Sequence, residues 1–388
     1  MEIGSFYEIN PKCMECDTDS GELLNLGEVN KYGKTEVAFT SSGRSAIALA
    51  LRSLEREHPH IEKKCLMPGY MCDSVFLPFI QNGWQLCFYH IDKNMKADAK
   101  ELSSIIEKEN PGMLFIHPYF GTDTWKELRC MIGKYQNDGI VVMEDVTQSY
   151  YLHTDTQADY IVGSLRKWYA IPDGGFVATN RTLHPEYMEV DEFVARERFQ
   201  MQRNKWKYLA ERYATTGKEC GDYPERLQNE KESFLSVNKE MEAYLDKEKK
   251  IPYLSGISKK IMRNMTENEC KKRRDENYHI LLKGLQNKKS LKTVYNECEE
   301  TVAPLYMPVY MNERDSLQQY LREHDIYVPV LWPVGNENRT FISEEEKYIF
   351  SHIATIPIDQ RYGREEMNKI IGVIEKYESA FEDCEGKR

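Results

Sequence analysis

Nothing in the 388 residues reads as a long apolar run. No window approaches the roughly 20 apolar residues of a membrane-crossing helix, and the first residues show no charged segment followed by an apolar one. A cytoplasmic chain with no membrane partner is therefore expected. Positive charge is in deficit too: 52 Lys and Arg face 63 Asp and Glu, a formal net charge of -11. With a pI near 5.5, no general surface for nucleic acid or anionic lipid is expected, although a local basic pocket for a phosphate stays open. The ten cysteines lack the close spacing of a disulfide framework and fit free thiols in a reducing compartment. One C-x-x-C occurs, Cys13 and Cys16, without a second such pair or a nearby His pair, so no metal site is expected there.

Internal repeats, low-complexity tracts and Gly/Ser linkers are also missing, and the length suggests two domains. The order of elements carries the information instead. From Val37 to Asn180, amphipathic helical segments alternate with short apolar runs such as "QLCFYHI", "GMLFIHPYF" and "IVVMEDV". That alternation implies βαβ units and a mainly parallel sheet with helices on both faces, with ligands at the strand C-terminal ends. From about Pro185 the chain turns charged and helical, which reads as linking and interface helices. The last third has the pattern of a small α/β domain, with strands expected in "TVAPLYMPVYM" and "IYVPVLW" and a closing helix in "GREEMNKIIGVIEKYESAF". The expected division is an N-terminal segment over 1–30, a large α/β/α domain over 31–280 with a helical insert about 185–255, and a small α/β domain over 281–388.

Two segments combine into one chemistry. "VVMEDVTQSYY" delivers Asp145 at a strand end, and about twenty residues later "ADYIVGSLRKWYAIPDGGFVATN" delivers Ser164 and Lys167. An enzyme that uses pyridoxal phosphate needs a lysine to hold the cofactor as a Schiff base and a carboxylate to keep its ring nitrogen protonated. Side chains alternate along a strand, so only one of Glu144 and Asp145 faces a ligand; Asp145 is the candidate because Gln148 follows it by three. A helix N-cap aspartate explains Asp145 taken alone. Lys167 lies among Leu165, Trp168 and Tyr169, which favour burial, so a partner or a lowered pKa is expected. S-x-x-K also occurs in serine acylating enzymes, but their companion S-D-N and K-T-G motifs are absent here.

Upstream, "TSSGRSAIALAL" puts Ser42, Gly43, Arg44 and Ser45 at the start of an amphipathic helix. Exposed N–H groups and the positive helix end suit a phosphate, and a Ser N-cap over a tight turn explains the same residues. "HPYFG" and "PGYMCDSVFLPF" place His117, Tyr70 and Cys72 at other strand ends, where they either contact a ligand or pack in the core.

Together these segments resemble the DegT/DnrJ/StrS-type sugar aminotransferases, a branch of the fold type I pyridoxal phosphate enzymes. "SSGRSAIALAL" is similar to that family's phosphate loop, "HPYFG" and "VMEDVTQSYY" to two of its strand ends, and "SLRKWYAIPDGGFVATN" to its lysine segment, with the interval from lysine to the double glycine kept. "RRDENY" and "ATIPIDQRYGREEMNKII" resemble two of its C-terminal motifs. The resemblance implies that Lys167 forms the Schiff base, Asp145 pairs with the pyridine nitrogen, Gln148 lies by the 3-oxygen, and Gly43, Arg44 and Ser164 hold the phosphate. Three features depart from the family. Ser164 sits three residues before the lysine rather than five, "PDGG" replaces G-E-G-G, and Cys72 stands where an aromatic usually stacks on the ring, leaving that role to Tyr70, to His117 or to no residue.

What the resemblance implies is transamination from glutamate or glutamine to a keto acceptor, often a nucleotide-linked keto sugar, in a homodimer with shared active sites. Two alternatives stay open: another reaction with the same cofactor, such as elimination, decarboxylation or sulfur transfer, and a non-catalytic binding protein of this fold. "IYVPVLWPVGNENR" is the candidate substrate-facing segment. Trp332 there suits stacking on a sugar or base as well as a core role, and Arg339 and Arg361 suit either anion binding or the solvated surface.

Overall fold

Short apolar strands and amphipathic helices alternate through the first half of the chain as the sequence pattern requires. The computed structural model describes residues 2–14, 32–152, 156–216, 224–263, 265, 267–296 and 300–385. Strand β1 (Glu36–Thr40) leads into α1 (Gly43–Glu57), β2 (Lys64–Pro68) into α2 (Asp73–Gln81), and β3 (Gln85–Tyr89) into α3 (Ala99–Glu109). There follow β4 (Met113–Ile116), α4 (Arg129–Asn137), β5 (Val141–Asp145), β6 (Tyr160–Gly163) and β7 (Gly175–Thr179). These strands form one seven-stranded sheet in the order β1-β7-β6-β5-β4-β2-β3. Only β7 runs against its neighbours; the other pairings are parallel. The expected three-layer, mainly parallel architecture is borne out. The edge strand β1 was not legible as a strand, being five residues long and only partly buried.

Both faces of the sheet are covered, which is why its strands read as unbroken apolar runs. Leu66, Leu114 and Val142 point into one apolar layer, while Cys65, Met67, Met113, Val141 and Met143 point into the other. Helix α1 belongs to the second layer. Ser42 caps it, its side-chain oxygen accepting the Ser45 N–H at 3.1 Å, and Ala46, Leu49, Ala50 and Leu54 are fully buried against the sheet.

The charged middle segment forms β8 (Met188–Glu189), α5 (Phe193–Thr216), α6 (Glu225–Lys247), β9 (Ile251–Pro252), α7 (Gly256–Met262) and α8 (Glu267–Leu285). Helices α5 and α6 run antiparallel, since Arg198 near the start of α5 meets Glu242 near the end of α6 while Glu211 meets Arg226. A small apolar seam of Met201, Tyr208, Leu227 and Phe234 joins them.

The C-terminal part adds β10 (Leu291–Thr293), β11 (Tyr306–Met311), α9 (Arg314–Glu323), α10 (Glu344–His352), β12 (Ile353–Pro357) and α11 (Arg364–Glu385). Strands β10, β11 and β12 form an antiparallel sheet in that order. Its core joins Met307, Val309 and Ile356 to Leu281 and Leu285 of α8, Leu317 and Leu321 of α9, and Ile370 and Ile374 of α11. The strand expected over Ile326–Trp332 does not form. Pro329 and Pro333 lack N–H donors, and the segment makes one bridge, to Ile3, and receives the Thr355 N–H on the Pro329 carbonyl at 3.0 Å. Among the described residues no helix is long and apolar enough to cross a membrane.

Candidate active site

The C-terminal ends of β4, β5 and β6 open toward the N-terminus of α1, and a cavity of about 170 Å³ lies between them. Strand alternation decides what enters it. Glu144 points to the face away from α1, where Arg129 reaches it at 2.9 Å. Asp145 points to the α1 face and lines the cavity; one of its oxygens accepts the Thr147 N–H at 2.8 Å. His117, one residue beyond β4, brings Nδ1 to 3.7 Å from Asp145 Oδ2. Burial pushes the His117 pKa down against the pull of Asp145, which favours the neutral ring. Among the described residues neither nitrogen of His117 has a hydrogen-bond partner, nor does Gln148 Nε2, although all three are buried.

Ser42 and Gly43 form the opposite wall with the first turn of α1. The double glycine explains how that turn is held. A β-carbon on Gly175 would overlap the Ser42 carbonyl and the Gly43 nitrogen, so only glycine lets β7 lie this close. Gly174, at φ 150°, donates its N–H to the Ser41 carbonyl at 2.7 Å. Asp173, just before, is buried and accepts Ser255 Oγ–H at 2.6 Å, which ties the "PDGG" segment to the start of α7.

Lys167 ends a single 3-10 turn, Leu165–Lys167, that follows β6. Thr147 fixes this turn against the Asp145 loop: its hydroxyl accepts the Ser164 N–H at 3.1 Å and its carbonyl accepts Trp168 Nε1–H at 2.9 Å. The Lys167 side chain is exposed, along the 170 Å³ cavity and a larger adjoining cleft that it also lines. Loss of bulk hydration within these walls pushes its pKa down, and the Arg166 charge adds to this while Glu242 opposes it.

Of the residues singled out from the sequence, Ser42, Gly43, Arg44, Cys72, His117, Asp145, Gln148, Ser164 and Lys167 line this one cavity. Ser45 does not; it lies within the cap, 2.9 Å from Ser42 Oγ. Tyr70 does not either. It is fully buried, its ring packs on Trp332 with centroids 5.1 Å apart, and its hydroxyl bonds the Leu331 carbonyl. Trp332 itself lines the cavity. Arg44 borders the cavity but turns its guanidinium to Asp246 at 2.6 Å. Arg361 is taken up by Asp359 and Glu8, at 2.7 and 2.9 Å, and Arg339 is exposed. Cys16 lies outside the described residues.

Three residues of this region escaped the sequence reading: Arg166, Arg198 and Glu242. Glu242 Oε1 meets Arg166 at 2.9 Å and Arg198 at 2.7 Å, and its other oxygen meets Arg44 at 3.5 Å. Burial alone would raise the Glu242 pKa, but Arg166, Arg198, Lys167 and Arg44 hold it well below the ordinary carboxylate range. Nothing local in the sequence marks this group, because α6 reaches the site only through tertiary docking.

No family model matches the chain, and no curated protein matches it in sequence. Solved structures do match in shape. The sugar aminotransferase CalS13 from Micromonospora echinospora superposes with TM-score 0.61 at 15% identity, over 96% of this chain and 99% of that one. PseC of Helicobacter pylori, an aminotransferase in the biosynthesis of pseudoaminic acid, gives 0.65 at 13% identity, over 97% and 99%. NtdA of Bacillus subtilis, with bound cofactor PMP, gives 0.58 at 15% identity, over 92% and 77%. At these identities the likeness establishes the fold: this chain has the three-layer fold of those structures over nearly its whole length.

Proposed function

We propose that this protein is a pyridoxal phosphate-dependent aminotransferase that moves an amino group from an amino acid to a keto acceptor of the keto-sugar class. One observation carries the reading: Lys167, Asp145 and the N-terminal turn of α1 line a single cavity at the strand C-terminal ends. The orphaned polar atoms of that cavity fit the cofactor. Gln148 Nε2 and the two His117 nitrogens are buried without partners, which is costly unless a polar ligand meets them. The fold shared with the sugar aminotransferase CalS13, and with PseC, an aminotransferase in the biosynthesis of pseudoaminic acid, supports the acceptor class.

Ser42, Gly43 and Ser164 would hold the phosphate, Asp145 the ring nitrogen and Lys167 the aldehyde carbon. When bound, pyridoxal phosphate supplies an electron-withdrawing ring that stabilises negative charge on the carbon beside the amino nitrogen. Lys167 Nζ would be the proton carrier of the site, and the loss of hydration that lowers its pKa favours the neutral form a base requires. Asp145, which lines the cavity wall, would face the ring nitrogen and accept a hydrogen bond from its N–H. His117 lines the wall beside it, where burial pushes its pKa down and favours the uncharged ring. Trp332 lines the cavity beside Leu331, where its ring would help to exclude water.

The reading includes a homodimer. Val190, Phe193, Tyr244 and Tyr253 are exposed apolar side chains, with the Phe193 and Tyr244 rings 5.4 Å apart and Tyr253 bridged to Thr40, two residues before the α1 cap. Such a patch on the rim of the site suits an interface with a second copy, and a sedimentation measurement reading twice the chain mass is the expected result. The activity is tested by incubating the cofactor-loaded protein with L-glutamate and no acceptor. One equivalent of 2-oxoglutarate per chain supports amino transfer, and none with any common amino acid rejects it.

A further inference from the structure

We infer that Arg166 and Arg198 form an oxyanion subsite that takes a carboxylate of the amino donor, with Glu242 as the internal carboxylate that competes for the same place. The inference rests on the aminotransferase reading above and names the group that recognises its donor. Both guanidinium groups converge on one oxygen, Glu242 Oε1, at 2.9 and 2.7 Å. Arg198 is 2% exposed; among the described residues its only side-chain bond is to Glu242, and its Nε has no acceptor. Arg166 has no other ion-pair partner among the described residues. A buried guanidinium has five donors in a planar fork suited to carboxylate, so this pair is short of acceptors.

Position and charge narrow the ligand. Arg166 and Lys167 are consecutive in the same single turn, and both line the 170 Å³ cavity and the adjoining cleft of about 470 Å³; Arg198 lines the cleft. An anion entering through the cleft therefore meets the two arginines beside the Lys167 amine. Arg44, Arg166 and Arg198 face Glu242 and Asp246, with Lys167 beside them, so the cluster keeps a positive excess that suits an anion. The planar fork of two guanidinium groups on one oxygen matches a carboxylate, and a diphosphate is the competing ligand that the test separates from it.

The test is calorimetric binding of glutarate, a dicarboxylate with no amino group to react, to the cofactor-loaded full chain, with inorganic pyrophosphate as the second probe. Cofactor loading is checked first by its visible absorbance. Loss of the charge-assisted hydrogen bonds in Arg166→Gln or Arg198→Gln is expected to weaken glutarate about tenfold or more. Glu242→Gln is expected to tighten glutarate, a gain that a merely structural ion pair would not produce. Arg198 is buried, so Arg166→Gln, at a less buried position, keeps the test valid if Arg198→Gln misfolds. Loaded protein that binds glutarate equally well in all variants, or binds only pyrophosphate through these arginines, overturns the inference and leaves the aminotransferase reading standing. Failure of the wild-type chain to load at Lys167 removes that reading and this inference with it.

Discussion

Glu144 and Asp145 are neighbours in sequence and lie on opposite faces of the central sheet: Glu144 meets Arg129 at 2.9 Å in one layer, and Asp145 lines the cavity in the other. The strand's period of two separates a structural carboxylate from a chemical one. The same substitution at the two positions should therefore have different consequences.

Asp145→Asn keeps an oxygen for the Thr147 N–H and should leave the fold intact. It removes the carboxylate proposed to pair with the ring nitrogen. A fall in kcat of roughly 10²–10³, the range seen when one preorganised electrostatic group is removed, is expected with little change in the melting temperature. Steady-state kinetics beside thermal melts check this.

Arg129→Met should do the reverse. Glu144 is fully buried, and Arg129 and Thr156 are its partners. Removing one partner of a buried pair typically costs about 3–5 kcal/mol because the other charge is left uncompensated. Denaturant unfolding should show that loss, while Lys167 still reacts with added cofactor in whatever fraction remains folded.

Gly175→Ala tests how the α1 turn is held. Its new β-carbon would overlap the backbone of Ser42 and Gly43, and overpacking of this kind costs roughly 1–3 kcal/mol. Because the displaced turn is the proposed phosphate wall, cofactor affinity should fall along with the melting temperature. A stable variant with unchanged affinity would mean that β7 does not set this turn.

The neighbours of Lys167 give a signed pH prediction. Its amine must be neutral to attack the cofactor, so the rate of loading rises through the amine's pKa. Arg166 lowers that pKa and Glu242 raises it. The midpoint should accordingly move to higher pH in Arg166→Gln and to lower pH in Glu242→Gln. Stopped-flow absorbance across pH measures both, and shifts of the same sign would contradict the charge assignment.

What the sequence disclosed of this site follows from range of interaction. Asp145, Lys167, Ser42 and Gly43 sit at strand ends and a helix start, positions set by short periodic patterns that a single chain displays. Arg198 and Glu242 lie in long charged helices whose solvent-facing and site-facing residues look alike in sequence; only their docking over the Arg166 turn gives them a role. Tyr70 was a candidate for the cofactor face because it follows β2, but the turn after Pro68 sends its ring under Trp332 instead. Ile326–Trp332 has the composition of a strand, yet Pro329 within it and Pro333 just after it deprive it of a ladder. At β1 the pattern was too short and too exposed to read.

Covalent capture tests the central claim most directly. The protein is mixed with pyridoxal phosphate, reduced with borohydride and mapped by peptide mass spectrometry. This account predicts a visible absorbance band that reduction abolishes, with one cofactor per chain on the peptide containing Lys167 and none in Lys167→Ala. Label spread over surface lysines, or an unchanged band in Lys167→Ala, would contradict it.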